Sequence, residues 1–258
     1  MADFPLVSIV TPSFNQRVYL EKTILSVLEQ DYPNLEYYVI DGGSRDGSLE
    51  IIRKYAPRLA GWVSEPDQGQ TDAINKGFAR CKGDIMAWLN SDDLYLPGAV
   101  SAAVRFLQEN PEVGMVYGDT DLIDGQGEKI GKFNAQQTSY QRLMRGGVYI
   151  PQPAAFWRRE LWEKAGPLDP GFYFAMDYDL WVRFAKLGEI RYNPGVWAGF
   201  RIHGEGKTTL DNARCWPEMR RVHKREGGRL FSFFMAKYTL RLILGPFWNL
   251  YKRKRLGI

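Results

Sequence analysis

The feature that most constrains this chain is a regular alternation across its first 118 residues. Short apolar runs take turns with stretches of helical period. Residues 6–11 form an apolar run closed by Pro12, and read as a buried strand. Residues 19–30 place Leu20, Ile24, Val27 and Leu28 on one stripe, a helical spacing. The alternation continues with strands predicted at 35–40, 61–64, 85–89 and 113–117. Helices are predicted at 48–55, with Asp46 or Ser48 as its cap, and at 71–81 and 98–109. Strands separated by helices argue for a mainly parallel central sheet flanked by helices, an α/β fold.

The right-handed crossover rule places the loops after Thr11, Ile40, Ser64 and Leu89 along one edge of such a sheet. Open α/β sheets bind ligands at the carboxyl ends of their strands. Those loops hold Asn15, Asp41, Asp67, Asp92 and Asp93. After residue 118 the alternation weakens. A turn signal at Asp124-Gly125-Gln126-Gly127 separates two strand-like runs. Helices are expected near 139–145 and 177–187, and a strand over 191–202. Three segments follow: 1–118, which carries the ligand edge, 119–210 as the second half of the same domain, and 211–258 as a C-terminal basic, amphipathic helical extension.

Asn90-Ser91-Asp92-Asp93 is the most informative tetrad. Adjacent carboxylates at a strand end repel unless a cation neutralises them. Mg²⁺ or Mn²⁺ suits oxygen ligands and commonly keeps one or two carboxylates plus phosphate oxygens. A departing diphosphate needs such a counter-charge. The plainer alternative is a solvated turn, with Asp93 capping the helix that follows. In Asp41-Gly42-Gly43-Ser44-Arg45-Asp46-Gly47 the carboxylate of Asp41 can accept hydrogen bonds from a base or ribose. Asp46 reads better as a helix cap.

Three motifs occur in order: Val7-Ser8-Ile9-Val10-Thr11-Pro12-Ser13-Phe14-Asn15, Ile40-Asp41-Gly42-Gly43-Ser44-Arg45-Asp46-Gly47-Ser48 and Asn90-Ser91-Asp92-Asp93. Together they resemble family 2 glycosyltransferases of the GT-A fold, over roughly residues 5–205. The resemblance implies that 1–118 is the nucleotide-sugar-binding half and 119–210 the acceptor-binding half, and that Thr11, Pro12 and Asn15 line the nucleotide pocket. It implies that Asp41 contacts the base and that Asp67 lies near the nucleotide. Asp92 and Asp93 match the carboxylates that contact ribose and metal. Family members commonly carry a further Asp where Asn90 stands. Asp93 is the expected metal ligand, with Asp92 on ribose or metal.

Phe174-Ala175-Met176-Asp177-Tyr178-Asp179-Leu180-Trp181 resembles the family's Glu-Asp-x-x-Leu-Trp segment, whose Asp is the general base. Here Met176 replaces the Glu and Asp177 takes the base position. An acceptor hydroxyl must lose its proton as it attacks, so such a group is required. Asp177 could instead merely cap its helix. Asp179 is a rival base, but its position on the helix faces it elsewhere. His203 corresponds to a His that in some members touches metal or diphosphate, and Arg201 or Lys207 is placed to neutralise phosphate. The alternative for His203 is a loop histidine bonded to backbone. The tryptophans are most often core at this density; Trp157 and Trp181 are the acceptor-side candidates.

Charge is uneven. From Arg220 onward there are eleven Lys/Arg and one acid, Glu226, a net +10; with +4 for the whole chain, the first 219 residues carry −6. Residues 230–251 are rich in apolar side chains, interrupted by Lys237 and Arg241 and broken at Gly245-Pro246. Two central cations argue against a membrane span. An amphipathic helix on the cytoplasmic face of a membrane fits, closed by Lys252-Arg253-Lys254-Arg255 and suited to a lipid-linked or saccharide acceptor. Packing on the body or on a second subunit is the alternative. No nucleic-acid motif accompanies the charge. Cys81 and Cys215 have no metal-binding spacing and fit a reducing, cytoplasmic compartment, and the N-terminus lacks the layout of a signal peptide.

The expected activity is inverting, metal-dependent transfer from a nucleoside-diphosphate sugar, a UDP-sugar first and GDP- or dTDP-sugars next. A sugar-nucleotidyltransferase would need a Gly-rich basic loop after the first strand, and Pro12-Ser13-Phe14-Asn15-Gln16-Arg17 is not one. A non-catalytic sugar-nucleotide-binding scaffold is the alternative from another class, prompted by Asn90 and Met176.

Overall fold

The structure, a computed structural model, describes residues 4–204, 206 and 215–256, with 245–256 by backbone alone. Its centre is a nine-stranded sheet ordered β3-β2-β1-β4-β8-β6-β9-β5, with β7 paired to β6. β1 (Val7–Ser13), β2 (Leu35–Asp41), β3 (Gly61–Ser64) and β4 (Ile85–Trp88) are mutually parallel. Their carboxyl ends therefore fall on one edge, where Ser13, Asp41 and Ser64 sit side by side in register.

β1 is buried along its whole length. A strand covered on both faces reads as a continuous apolar run, which is why it was visible in the sequence. Its side chains alternate between two cores. Ile9 joins Val39 and Ala87 beneath α1 (Arg17–Leu28), α2 (Ser48–Tyr55) and α4 (Ala99–Glu109). Val10 joins Ile40, Met86 and Trp88 on the other face, under α3 (Gln70–Phe78). α3 lies so close that a Cβ on Gly77 would come within 2.4 Å of Val10, so glycine is required there.

Several expectations are refined. β1 continues through Pro12 to Ser13. The last β1–β4 pair is Val10 with Trp88, so Pro12 faces no β4 partner that its missing N–H could have served. The N-cap of α2 is Gly47, with φ +97°, and not Asp46 or Ser48. Asp46 instead accepts from the backbone N–H of Ser48 (3.0 Å) and of Arg17 (2.8 Å), tying the starts of α2 and α1 together.

The second half is mixed. β6 (Val113–Ile123) pairs antiparallel with β7 (Lys129–Phe133) and β8 (Ala155–Arg158), but parallel with β9 (Glu189–Arg201). β5 (Leu94–Tyr95) closes the sheet on β9. The position 118 falls inside β6, so both halves share one sheet; the position 210 lies outside the described residues. α5 (Tyr140–Met144), α6 (Arg159–Ala165) and α7 (Met176–Leu187) cover the face that carries Trp88.

α8 (Cys215–Arg225) packs on α7, and α9 (Phe233–Leu256) follows it. The expected break at Gly245-Pro246 does not occur; the backbone stays helical to Leu256. Pro246 deprives the Leu242 carbonyl of its helical donor. Leu242 is on the exposed side, where water can take that donor's place. Among the described residues, no helix is long and apolar enough to cross a membrane.

Candidate active site

A cleft of about 1060 Å³ opens at the carboxyl edge of β1–β4 and extends under α7 and α8. Its nucleotide side is made by loops that hold one another. Asn15 has φ +51°, unusual for a residue with a side chain. It is held there by its backbone N–H to Ser44 Oγ (2.7 Å) and by its Oδ1, which accepts from Arg45 N–H (3.0 Å). Asp41 is buried and accepts from Ser44 N–H (2.9 Å), Gly43 N–H (3.2 Å) and Ser64 Oγ–H (2.8 Å). Its carboxylate thus shapes the Gly42-Gly43 turn that faces the cleft. Asp67 Oδ1 accepts from Gly69 N–H (2.8 Å), and its other oxygen would be 2.7 Å from any Cβ on Gly42.

Of the nucleotide-binding residues expected from sequence, Pro12, Asn15, Asp67 and Asp92 line the cleft. Thr11 and Asp41 stand one layer behind it. Thr11 is buried and accepts from the Tyr37 hydroxyl at 2.8 Å.

The two adjacent carboxylates part company. Asp92 faces the cleft, and its Oδ2 lies 3.0 Å from His203 Nε2. Asp93 turns inward and is 1% exposed. Its Oδ1 accepts from the backbone N–H of Arg201 (2.9 Å), joining the residue just before β5 to the end of β9. Burial, and then the charge of Asp92, push the Asp93 carboxyl well above the usual carboxylate range; the Arg201 N–H and the Asn90 amide pull the other way.

Asn90 is the centre of a chain of amides. Its Oδ1 accepts from Gln70 Nε2 (2.7 Å), and its Nδ2 donates to Gln152 Oε1 (3.0 Å) and Asp93 Oδ2 (3.3 Å). Gln152 Nε2 in turn donates to the Trp88 carbonyl at 2.8 Å. Only a group with both donor and acceptor can fill this position.

Arg201 is not available as a phosphate partner in the expected way. It is 2% exposed, and its guanidinium donates to the carbonyls of Asp92 (2.7 Å), Asp124 (2.7 Å) and Gly125 (3.1 Å). It also lies 4.8 Å from the Tyr19 ring, which packs on His203 with centroids 4.7 Å apart. Lys207 lies outside the described residues.

On the acceptor side Asp177 lines the cleft near the start of α7, and its Oδ1 accepts from Tyr178 N–H (2.7 Å). Asp179 is fully buried and paired with Arg183 (3.0 Å) and Arg225 (2.5 Å), so it cannot reach a substrate. Met176 is buried beside it, with its Sδ taking the Thr71 hydroxyl at 3.1 Å. Trp181 stacks on Trp88 with centroids 5.7 Å apart and planes 10° apart, and both form the cleft wall; Trp157 is behind them in the core.

Sequence reasoning missed Gln70, Gln152 and Glu218, which act on the site through others. No spacing signal marks them, because each meets its partner across a long stretch of chain.

The residues fit a divalent metal through one carboxylate, Asp92, at the cleft and one imidazole, His203, 3.0 Å behind it in a neighbouring pocket; phosphate oxygens would complete the set. Among the described residues there is no cluster of three such groups.

Residues 8–164 match the family described as Glycosyl transferase family 2. A glycosyltransferase of Mycobacterium tuberculosis is 34% identical over 240 residues, which span 90% of each chain. One from Nostoc is 29% identical over 215 residues, 77% of this chain and 65% of its own. One from Rickettsia felis is 28% identical over 251 residues, 91% of this chain but only 39% of its own. The chain thus spans less than two thirds of the latter two relatives. Among solved structures, Staphylococcus aureus TarS (residues 1–349) in complex with UDP-GlcNAc has a TM-score of 0.68 at 16% identity, covering 84% of this chain and 65% of that one. The mannosyltransferase PcManGT from Pyrobaculum calidifontis, in complex with GDP-Man and Mn²⁺, has a TM-score of 0.68 at 22% identity, covering 93% and 71%. These two likenesses establish the fold.

Proposed function

The chain belongs to glycosyl transferase family 2, and from that premise we propose that it is an inverting, metal-dependent glycosyltransferase. It moves a sugar from a nucleoside-diphosphate sugar, a UDP-sugar in the first instance, to an acceptor hydroxyl. The setting is assembly of a surface polysaccharide or glycolipid. One observation carries the reading: a single cleft holds Asp92 and Asp177, with His203 backing Asp92 from a neighbouring pocket at 3.0 Å, while Asp93 and Asp179 are buried.

The roles follow from position. The loops at Asn15, Gly42-Gly43 and Asp67 receive the nucleoside, with Thr11 and Asp41 holding them in shape. Asp92 and His203 would hold Mg²⁺ or Mn²⁺, and Asp93 supports them by fixing the loop before β5 to β9. When bound, the metal offsets the charge of the diphosphate leaving group. Asp177 takes the proton of the attacking hydroxyl. The relatives' donors favour this class: TarS is seen with UDP-GlcNAc and PcManGT with GDP-Man and Mn²⁺.

The acceptor is a saccharide or a lipid-linked one, presented at an anionic, cytoplasm-facing membrane. Leu230, Phe231, Phe233, Leu240, Leu242 and Ile243 are all exposed on or just before α9. The basic run Lys252-Arg253-Lys254-Arg255 lies on the same helix. Apolar exposure combined with positive charge suits a helix lying in a lipid interface.

The test is calorimetric binding of UDP, GDP and dTDP, each with and without Mn²⁺. The expected result is metal-dependent binding of one nucleotide. Binding of none by the folded protein would overturn the transferase reading. Binding without any turnover would favour a non-catalytic sugar-nucleotide-binding protein.

A further inference from the structure

We infer that Glu218 is a positioning residue that holds the acceptor-side wall of the cleft, and through it Asp177. The consequence for Asp177 rests on the transferase reading; the hold itself does not.

α7 starts without a cap of its own. Its N-cap is Ala175, which has no side-chain hydrogen bond to offer. The first N–H groups of a helix need acceptors from elsewhere. Here one carboxylate from another helix takes the N–H of the N-cap residue and of the two residues leading into it. Glu218 Oε2 accepts from Ala175 N–H (2.8 Å) and Phe174 N–H (2.8 Å), and both its oxygens lie 3.1 Å from Tyr173 N. Asp177 is two residues further on.

Glu218 does not act alone. Arg221 donates to the Gly171 carbonyl (2.9 Å) and lies over the Phe172 ring at 4.6 Å. Val222 is fully buried, and Arg225 pairs with Asp179. Residues 218, 221, 222 and 225 share one helical face. That whole face of α8 grips the segment 171–179. Charge-assisted bonds to backbone N–H are stronger than neutral ones, so Glu218 is the firmest point of the grip.

The position also accounts for Met176. The segment resembled one with a Glu immediately before its Asp. Here that position is an apolar side chain turned into the core, and the carboxylate beside the base segment arrives from residue 218 instead. Tyr173, Phe174 and Asp177 all line the cleft. A slack wall would move them together, and misplacing a reacting group by about 1 Å can cost on the order of 100-fold in rate.

The experiment compares wild type with Glu218→Gln and Glu218→Ala in the full chain. Gln keeps one carbonyl acceptor at the same length and guards against simple misfolding of the Ala variant. Amide hydrogen exchange at residues 173–175 reads the hold. Release of UDP or GDP from UDP-GlcNAc, UDP-glucose and GDP-mannose, with water as acceptor, reads the base. In Glu218→Ala, exchange at 173–175 should quicken by about tenfold or more as three capping bonds are lost. kcat should fall on the order of 10- to 100-fold with donor KM within about twofold. Glu218→Gln should recover most of both. Unchanged exchange overturns the hold, and quickened exchange with wild-type kcat overturns the positioning of Asp177. Equal losses in kcat and donor affinity overturn it too, since they mark a general collapse. A wild type that turns over none of the donors removes the transferase reading instead, and the exchange result still decides the hold.

Discussion

His203 Nε2 lies 3.0 Å from Asp92 Oδ2, bringing together the loop that leads into β5 and the segment just after β9. Neither residue is near the other in sequence, and Asp93, next in the chain, anchors the same loop to the backbone of Arg201.

Removing either partner should therefore separate metal from nucleotide. In Asp92→Ala, Mn²⁺-dependent nucleotide binding should be lost. In His203→Ala it should weaken about 10- to 100-fold, a typical cost for a group that tunes a metal site. Nucleotide binding without Mn²⁺ should change little. Calorimetry at fixed ionic strength reads all three.

The two carboxylates of α7 should give opposite phenotypes. Asp177→Asn should lower kcat by about 100-fold or more while leaving the melting temperature nearly unchanged, as expected for a lost general base. Asp179→Ala should destabilise the fold by about 1–3 kcal/mol, because it removes the buried carboxylate that partly buried Arg183 and exposed Arg225 both bond. Paired thermal melts and turnover assays separate them.

Asn90→Asp supplies the residue that the resembled motif places there, yet it should harm this protein. The new carboxylate would face Gln152 Oε1 and Asp93 Oδ2, where an amide N–H₂ now donates. A loss of about 1–3 kcal/mol is expected from the unsatisfied buried acceptors. Urea denaturation measures it, and a variant as stable as wild type would contradict the amide chain.

Burial, and next the charge of Asp177, push the Cys215 thiol up to about 11. Only the thiolate reacts, so alkylation by iodoacetamide at pH 8 should be about 100-fold slower than for an ordinary cysteine. The rate should keep rising with pH towards 11. Because the folded value is raised, the contribution of this thiol to stability is complete below pH 9 and lost as pH climbs through 11. Mass spectrometry of the alkylated peptide across pH follows the reaction.

The α9 surface should bind vesicles containing anionic lipid and ignore neutral ones, with binding falling as salt rises. Leu242→Glu with Ile243→Glu should reduce binding by about tenfold or more, since it places charge where apolar surface would enter the interface. Co-sedimentation settles it. Nucleotide binding by the variant should stay as in wild type.

The parallel half of the sheet was legible because strands buried on both faces leave continuous apolar runs, as at Val7–Ser13. The ligand edge was legible with it, since polar residues follow each run. Which of two adjacent carboxylates faces outward was not: Asp92 and Asp93 differ only in a backbone turn fixed by contact with β9. The fate of Arg201 was equally hidden, because three carbonyls from distant loops claim its guanidinium. The full reach of β6 to Ile123 depends on pairing with β9, which no local pattern encodes.

The Trp88–Trp181 stack has a bearing on which acceptors fit. Trp88 ends the strand that leads to Asp92, and Trp181 sits one helical turn beyond Asp177. The two rings lie 10° from parallel with centroids 5.7 Å apart, an offset packing that ties these banks together. In the proposed transferase, an acceptor would have to span a distance between Asp92 and Asp177 that this packing holds fixed, and widening it would take the replacement of a ring.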